Sequence, residues 1–209
     1  MAPRYLAVAG NMGAGKSSLV KWLHATFDLE PAYEPQDENP YLEDFYRDMR
    51  RWAFPSQLFF LARRFRMQRE LERSLPSLDR RGVVLDRSIY EDAEIFAAHH
   101  RQVGNIDARD WGTYQDLYGA MRAELRPPDL MVYLRCPVGA LRRRIQRRGR
   151  GYEQAIPAAY LRALDRLYES WFARYDLSPT LVIDTSEVDY VEDLFHREAL
   201  LEEIGRRLR

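Results

Sequence analysis

Apolar residues recur along this chain in two registers. Four short runs are apolar at nearly every position and stop at turn residues: Tyr5-Leu6-Ala7-Val8-Ala9, Val83-Val84-Leu85, Leu130-Met131-Val132-Tyr133-Leu134 and Leu181-Val182-Ile183. Strands buried on both faces read this way. A fifth extended segment lies between Pro31 and Pro35, the second of which biases Glu34 away from helix. Elsewhere apolar positions return every three or four residues, the period of a helix with one buried face. Leu19, Val20 and Leu23 start one such pattern. Leu42, Phe45, Tyr46 and Met49 start another after Asn39-Pro40, with a break expected around Ala53-Phe54 and a new helix opening on Pro55. Ser88 and Glu91 have the spacing of a capping box. Trp111, Tyr114, Tyr118, Met121 and Leu125 form a stripe that suits either core packing or a subunit interface. Helices follow at 157–175 and at the end of the chain, where Val191, Leu194, Leu201, Ile204 and Leu208 share a side.

Strands at 4–9, 30–34, 82–86, 129–134 and 180–184 thus alternate with helices. That order predicts an α/β fold, a five-stranded parallel sheet covered by helices on both faces. No repeat, low-complexity tract or linker divides it, so residues 1–209 are expected to form a single domain.

The first strand runs into Gly10-Asn11-Met12-Gly13-Ala14-Gly15-Lys16-Ser17, with Ser18 next on the helix. Strand, glycine-rich loop and helix are the setting a phosphate-binding loop requires. The glycines let backbone N–H groups converge on an anion, and the helix N-terminus adds donors and partial positive charge. Lys16 suits the β- and γ-phosphates, and the Ser17 hydroxyl suits Mg²⁺. The third strand ends in Asp86, where such proteins place a second Mg²⁺ contact, and Arg87 follows. Asp86 and Arg87 are not explained by helix capping, whereas Ser88 is.

Other polar positions have two readings. Glu34 is either a strand-end carboxylate facing the ligand crevice or a surface residue of a loop. Gln57 and Arg64 are two helical turns apart with Phe60 between them, fit to read a base edge or to form a solvated face. Arg142, Arg143, Arg144, Arg147, Arg148 and Arg150 end between Gly149 and Gly151. An arginine-rich lid over phosphates, at about 144–154, accounts for that run, as does a solvated face or a nucleic-acid patch.

Composition narrows the field. The 32 basic residues balance 32 acidic ones, so attraction of nucleic acid over the whole surface is not expected. Lys16 and Lys21 are the only lysines, which makes the lysine of the loop a pointed choice. Cys136 is the only cysteine and reads as packing, and His24, His99, His100 and His196 have no metal-ligand spacing. No apolar run is long enough to cross a bilayer, and Met1–Arg4 is too short for a signal peptide. A cytoplasmic protein with no membrane partner is expected.

Several segments together resemble the deoxynucleoside kinases. These are Glu34-Pro35, Asn39-Pro40-Tyr41-Leu42 to Phe45-Tyr46, and Trp52-Ala53-Phe54 with Gln57. Asp86-Arg87-Ser88-Ile89-Tyr90-Glu91-Asp92 with Ile95-Phe96-Ala97, and Arg144 to Arg150 with Glu153, extend the likeness from the loop to the last helix. The strand-end aspartate points to the bacterial deoxyadenosine and deoxyguanosine kinase branch. The resemblance implies a phosphate-loop kinase fold and transfer of the ATP γ-phosphate to a deoxynucleoside 5′-hydroxyl, with Mg²⁺ on Ser17 and Asp86. Glu34 would be the general base, Arg87 its partner and a catalytic cation. Gly10 to Ser18 would hold ATP, with Arg144 on its adenine and Arg148 and Arg150 on phosphate. Tyr46 and Glu153 would bind the 3′-hydroxyl, and Gln57, Arg64 and Asp92 the base. Deoxyadenosine is the expected acceptor, with deoxyguanosine and deoxycytidine as alternatives, and a homodimer is expected. A nucleoside monophosphate kinase shares the loop and lid, but Glu34 would repel an acceptor phosphate. A non-enzymatic, nucleotide-responsive nucleic-acid-binding protein is the alternative of another class.

Overall fold

All five strands form and all run parallel. In the computed structural model, which describes residues 4–33, 38–75, 82–150, 153, 156–186, 190 and 193–208, they are β1 (Arg4–Gly10), β2 (Leu29–Ala32), β3 (Gly82–Asp86), β4 (Leu130–Arg135) and β5 (Thr180–Asp184). The sheet order is β2-β3-β1-β4-β5. The central β1 shows why its run is apolar throughout: Tyr5, Ala7 and Ala9 enter one core, Leu6 and Val8 the other. Helices α2 (Leu42–Arg47), α3 (Met49–Ser74), α6 (Ala108–Ala123) and α8 (Ala158–Phe172) cover the first face through Phe45, Leu61, Tyr114 and Leu164. Helices α1 (Lys16–Phe27), α7 (Val138–Arg148) and α9 (Leu194–Arg207) cover the second through Leu23, Leu141 and Ile204. After β3 come α4 (Ile89–Glu91), a π-helical turn (Asp92–Ala97) and α5 (Ala98–Gln102).

Three expectations change. The second strand ends at Ala32, so it stops short of Glu34, which lies outside the described residues. The break between α2 and α3 falls at Asp48, whose side chain accepts from the Arg51 N–H at 3.1 Å, and not at Ala53-Phe54. Pro55 sits inside α3, in the second turn. Its neighbours Ala53 and Ser56 are fully buried, and that packing outweighs the one ladder bond proline removes. In α9, Leu194 is exposed and Leu200 joins Ile204 in the core, while Val191 lies outside the described residues. No helix among the described residues is long and apolar enough to cross a membrane.

His99 and His100 on α5 are buried in an aromatic group, His100 edge-on to Phe45 at 5.1 Å and beside Tyr160 at 5.9 Å. Burial, with His99 alongside, pushes His100 down to about 3. The unfolded chain takes this proton below about pH 6.5, whereas the folded chain refuses it until about 3. Stability from this residue is therefore complete above the unfolded value and is lost as pH falls towards the folded one. Urea midpoints should fall by the equivalent of about 1 kcal/mol from about pH 7.5 to about pH 5.5, and His100→Phe should flatten that slope. An equal slope in the variant would remove His100 as the cause.

Candidate active site

The strand order brings the C-terminal ends of β1, β2 and β3 together, and the loops leaving them build two joined cavities. In the loop after β1, Gly15 has φ +101° and an added Cβ would stand 2.5 Å from the Tyr190 hydroxyl, so glycine is required. Tyr190 is fully buried beneath the loop, donates to the Ala14 carbonyl at 3.1 Å and packs edge-on to Trp22. Asn11 donates to the Leu161 carbonyl at 3.1 Å and accepts from the Met12 N–H at 2.8 Å. Gly10, Asn11 and Ala14 thus form the frame of the loop and do not line the cavity. Met12, Gly13, Gly15, Lys16, Ser17 and Ser18 line it.

Lys16 is buried, its ammonium donating to the Gly10 and Asn11 carbonyls at 2.9 and 3.2 Å. The Ser17 hydroxyl donates to Asp86 Oδ2 at 2.5 Å across the mouth of the loop. A hydroxyl and a carboxylate meeting there are oxygen donors suited to a hard divalent cation. Asp86, Arg87, Arg144, Arg148 and Arg150 complete the wall. Arg147, read from the sequence only as part of the charge run, lines it too. Arg144 donates to the Ala14 carbonyl at 3.2 Å and also borders a third cavity, beside Pro137, Arg143, Thr185 and His196. Cys136 is packed in the second core, where burial pushes its thiol up.

The second cavity is lined by Tyr46, Gln57, Asp92, Glu153 and Arg87, five of the residues that the resemblance assigns to the nucleoside, and by Phe60 of the Gln57 face. Met12 and Arg87 line both cavities, which therefore meet at those two side chains. Gln57 and Arg64 are each 3% exposed, so their helix face is not solvated. Arg64 stands behind the wall: Nε donates to Asp92 Oδ2 at 2.6 Å and Nη1 to the Arg87 carbonyl at 3.1 Å. A guanidinium so held fixes the Asp92 carboxylate in one orientation. Tyr46 points its hydroxyl at Met12 Sδ, 3.8 Å away. Phe45, Phe96 and Tyr160 also line this cavity and were not foreseen. Phe96 enters through the π-helical turn, a form with no simple sequence period, and Tyr160 arrives from α8, far along the chain.

Arg87 has φ +73°, a left-handed conformation that costs a non-glycine residue roughly 1–2 kcal/mol. Its N–H donates to the Val8 carbonyl at 3.1 Å, extending the β1–β3 ladder one residue past the strand end. Its guanidinium lies 4.4 Å from the centre of the Phe96 ring. Glu153, 3% exposed, accepts from Arg148 at 2.5 and 3.1 Å and faces Arg150 at 3.7 Å. The arginines of one cavity are thus paired to an acid of the other.

Comparison with known proteins points to one family. The family profile described as deoxynucleoside kinase matches residues 6–208. A deoxyadenosine/deoxycytidine kinase of Bacillus subtilis (strain 168) is 35% identical over 202 residues, 96% of this chain and 91% of its own. A deoxyguanosine kinase of Lactobacillus acidophilus is 35% identical over 213 residues, 98% of this chain and 90% of its own. The structure of a deoxyadenosine kinase from M. mycoides with bound dCTP has a TM-score of 0.81 and 28% identity, covering 96% of this chain and 98% of that one.

Proposed function

Since the chain belongs to the deoxynucleoside kinase family, a family of ATP-dependent phosphotransferases, we propose that its own acceptor of choice is deoxyadenosine. The observation that carries this is the buried group of Gln57, Asp92 and Arg64 at the acceptor cavity. Adenine offers an amino donor beside a ring-nitrogen acceptor, which matches the carbonyl and amino ends of the Gln57 amide. Asp92 is acceptor-only and suits the same amino group. Cytosine shares that edge, so deoxycytidine is the second reading. Guanine presents the reverse pattern and requires the amide and its neighbours to reorganise.

ATP lies along the loop, with its adenine against Arg144 and its phosphates among Lys16, the loop N–H groups, Arg148 and Arg150. Ser17 and Asp86 hold Mg²⁺, which supplies charge neutralisation on the triphosphate. The deoxyribose sits between Tyr46 and Glu153, which bind the 3′-hydroxyl, and the tyrosine ring against Met12 crowds a 2′-hydroxyl. Glu34 accepts the 5′-hydroxyl proton as that oxygen attacks. Arg87, at the junction of the cavities, orients Glu34 and counters the charge that develops. Lys16 exchanges the two loop carbonyls for phosphate oxygens. The whole chain works as one domain, with 144–154 as the lid, of which residues 151, 152 and 154 lie outside the described residues. Tyr114, Tyr118 and Leu125 of the stripe along α6 are buried in the core, so the homodimer would pair through the open groove of α3 and α6, where Ala62, Phe65 and Met121 stand among Arg66, Arg69, Glu70 and Arg73.

A coupled assay of ATP consumption over the four deoxynucleosides and adenosine tests this. Deoxyadenosine should have the highest kcat/KM, with adenosine well below it. A higher value for deoxyguanosine or deoxycytidine would overturn the base assignment and leave the family untouched.

A further inference from the structure

We propose that Glu91 is a positioning residue for phosphoryl transfer, holding the first glycine of the phosphate loop and the Arg87 guanidinium in fixed relation. The proposal rests on reading the Lys16 cavity as the ATP site. Glu91 is 0% exposed, and a carboxylate removed from water must have both oxygens bonded. One oxygen, Oε2, closes the capping box by accepting from the Ser88 N–H at 2.9 Å and the Ser88 hydroxyl at 3.3 Å. Helix capping needs nothing more, and glutamine serves that box as well as glutamate. The charge and the second oxygen therefore call for another explanation.

Oε1 accepts from the Gly10 N–H at 3.1 Å and is 2.8 Å from the Tyr168 hydroxyl. It also faces Arg87 Nε at 3.9 Å. These contacts tie together the end of β1, the end of β3 and α8, elements with no local connection in the chain. Gly10 has little room to move, since an added Cβ would stand 2.9 Å from the Leu134 carbonyl oxygen. The Gly10 carbonyl accepts Lys16 Nζ at 2.9 Å, so Glu91 holds one side of the residue on whose other side Lys16 rests. Tyr168 is itself fixed, fully buried and stacked on Tyr133 at 5.8 Å. A glutamine would turn an amino group towards either Gly10 or Ser88, both of which donate, and would remove the charge beside Arg87.

Glu91→Gln should weaken ATP binding about tenfold and lower kcat by about tenfold or more, the scale of a sub-ångström displacement at a reacting centre. Deoxynucleoside Kd should stay within about twofold. A capping role alone would lower the melting temperature and leave these ratios unmoved. The measurement is equilibrium titration with the fluorescent analogue TNP-ATP, beside steady-state kinetics, on folded protein checked by circular dichroism. Tyr168→Phe, which keeps the ring and removes a hydroxyl 2.8 Å from Oε1 and 2.9 Å from the Gly10 carbonyl, should shift the same two quantities by about threefold. Combined with Glu91→Gln, it should add less than its separate effect. Wild-type ATP affinity and kcat in folded Glu91→Gln would overturn the proposal. If that variant does not fold, wild-type values in Tyr168→Phe overturn it. Failure of the wild type to bind TNP-ATP or to phosphorylate any deoxynucleoside would instead remove the functional reading beneath it.

Discussion

Arg87→Ala is expected to lower kcat by about 10³ while leaving the protein folded, the loss seen when a donor aimed at developing charge is removed. Three observations make this residue the most sensitive point of the site. It lines both cavities, so it is within reach of donor and acceptor alike. It is 5% exposed, where one positive charge counts for far more than at the surface. It also keeps a left-handed backbone, a cost tolerated where the side chain must point one way. Arg87→Lys should recover little, because an ammonium keeps the charge and loses the planar fork that can meet two oxygens at once. Steady-state kinetics with saturating ATP and deoxyadenosine, beside thermal melts of each variant, read this directly. A kcat within tenfold of wild type for Arg87→Ala would take the residue out of the charge-stabilising role.

Glu34→Gln is the second large effect, about 10² or more in kcat with nucleoside Kd nearly unchanged. The motive is topological. Ala32, the last residue of β2, lies opposite Leu85 in β3, so the chain leaves β2 beside Asp86 and Arg87. Two residues later comes Glu34, outside the described residues, the carboxylate that the family resemblance assigns as the base. An amide there keeps size and polarity and cannot take a proton. The acid limb of the kcat/KM profile should flatten in the variant, since the group that must be deprotonated is gone. A variant that turns over normally and keeps the acid limb would assign the base elsewhere.

What could be read from the chain beforehand follows the range of the forces involved. The loop Gly10–Ser17 and the Asp86-Arg87 strand end are local: their chemistry is fixed by neighbours a few residues away, and the spacing alone exposes them. The parallel sheet was legible for the same reason, because strands buried on both sides leave unbroken apolar runs. Gln57 and Arg64 could be paired by helical spacing, but whether they faced water depended on α3 lying against the Asp92 turn, a contact made at long range. Pro55 misled because a proline rule written for isolated helices yields to tertiary burial. Tyr190 has no neighbour in the sequence that announces a role, and only the fold puts it under Gly15. Glu91 announced half of itself: the three-residue spacing to Ser88 is visible, whereas Gly10 is 81 residues away.

The π-helical turn at Asp92–Ala97 carries a further consequence. Such a turn closes with one residue more than an α-helix spends on the same span, so it depends on residue count as well as residue identity. Gain or loss of a single codon there would swing everything downstream by about 100° about the axis. His99 and His100 would leave their seats beside Phe45 and Tyr160, although no side chain in the pocket had itself been replaced. Relatives that diverge freely in this segment by exchange of residues should therefore preserve its length, and an engineered library should vary its letters and never its frame.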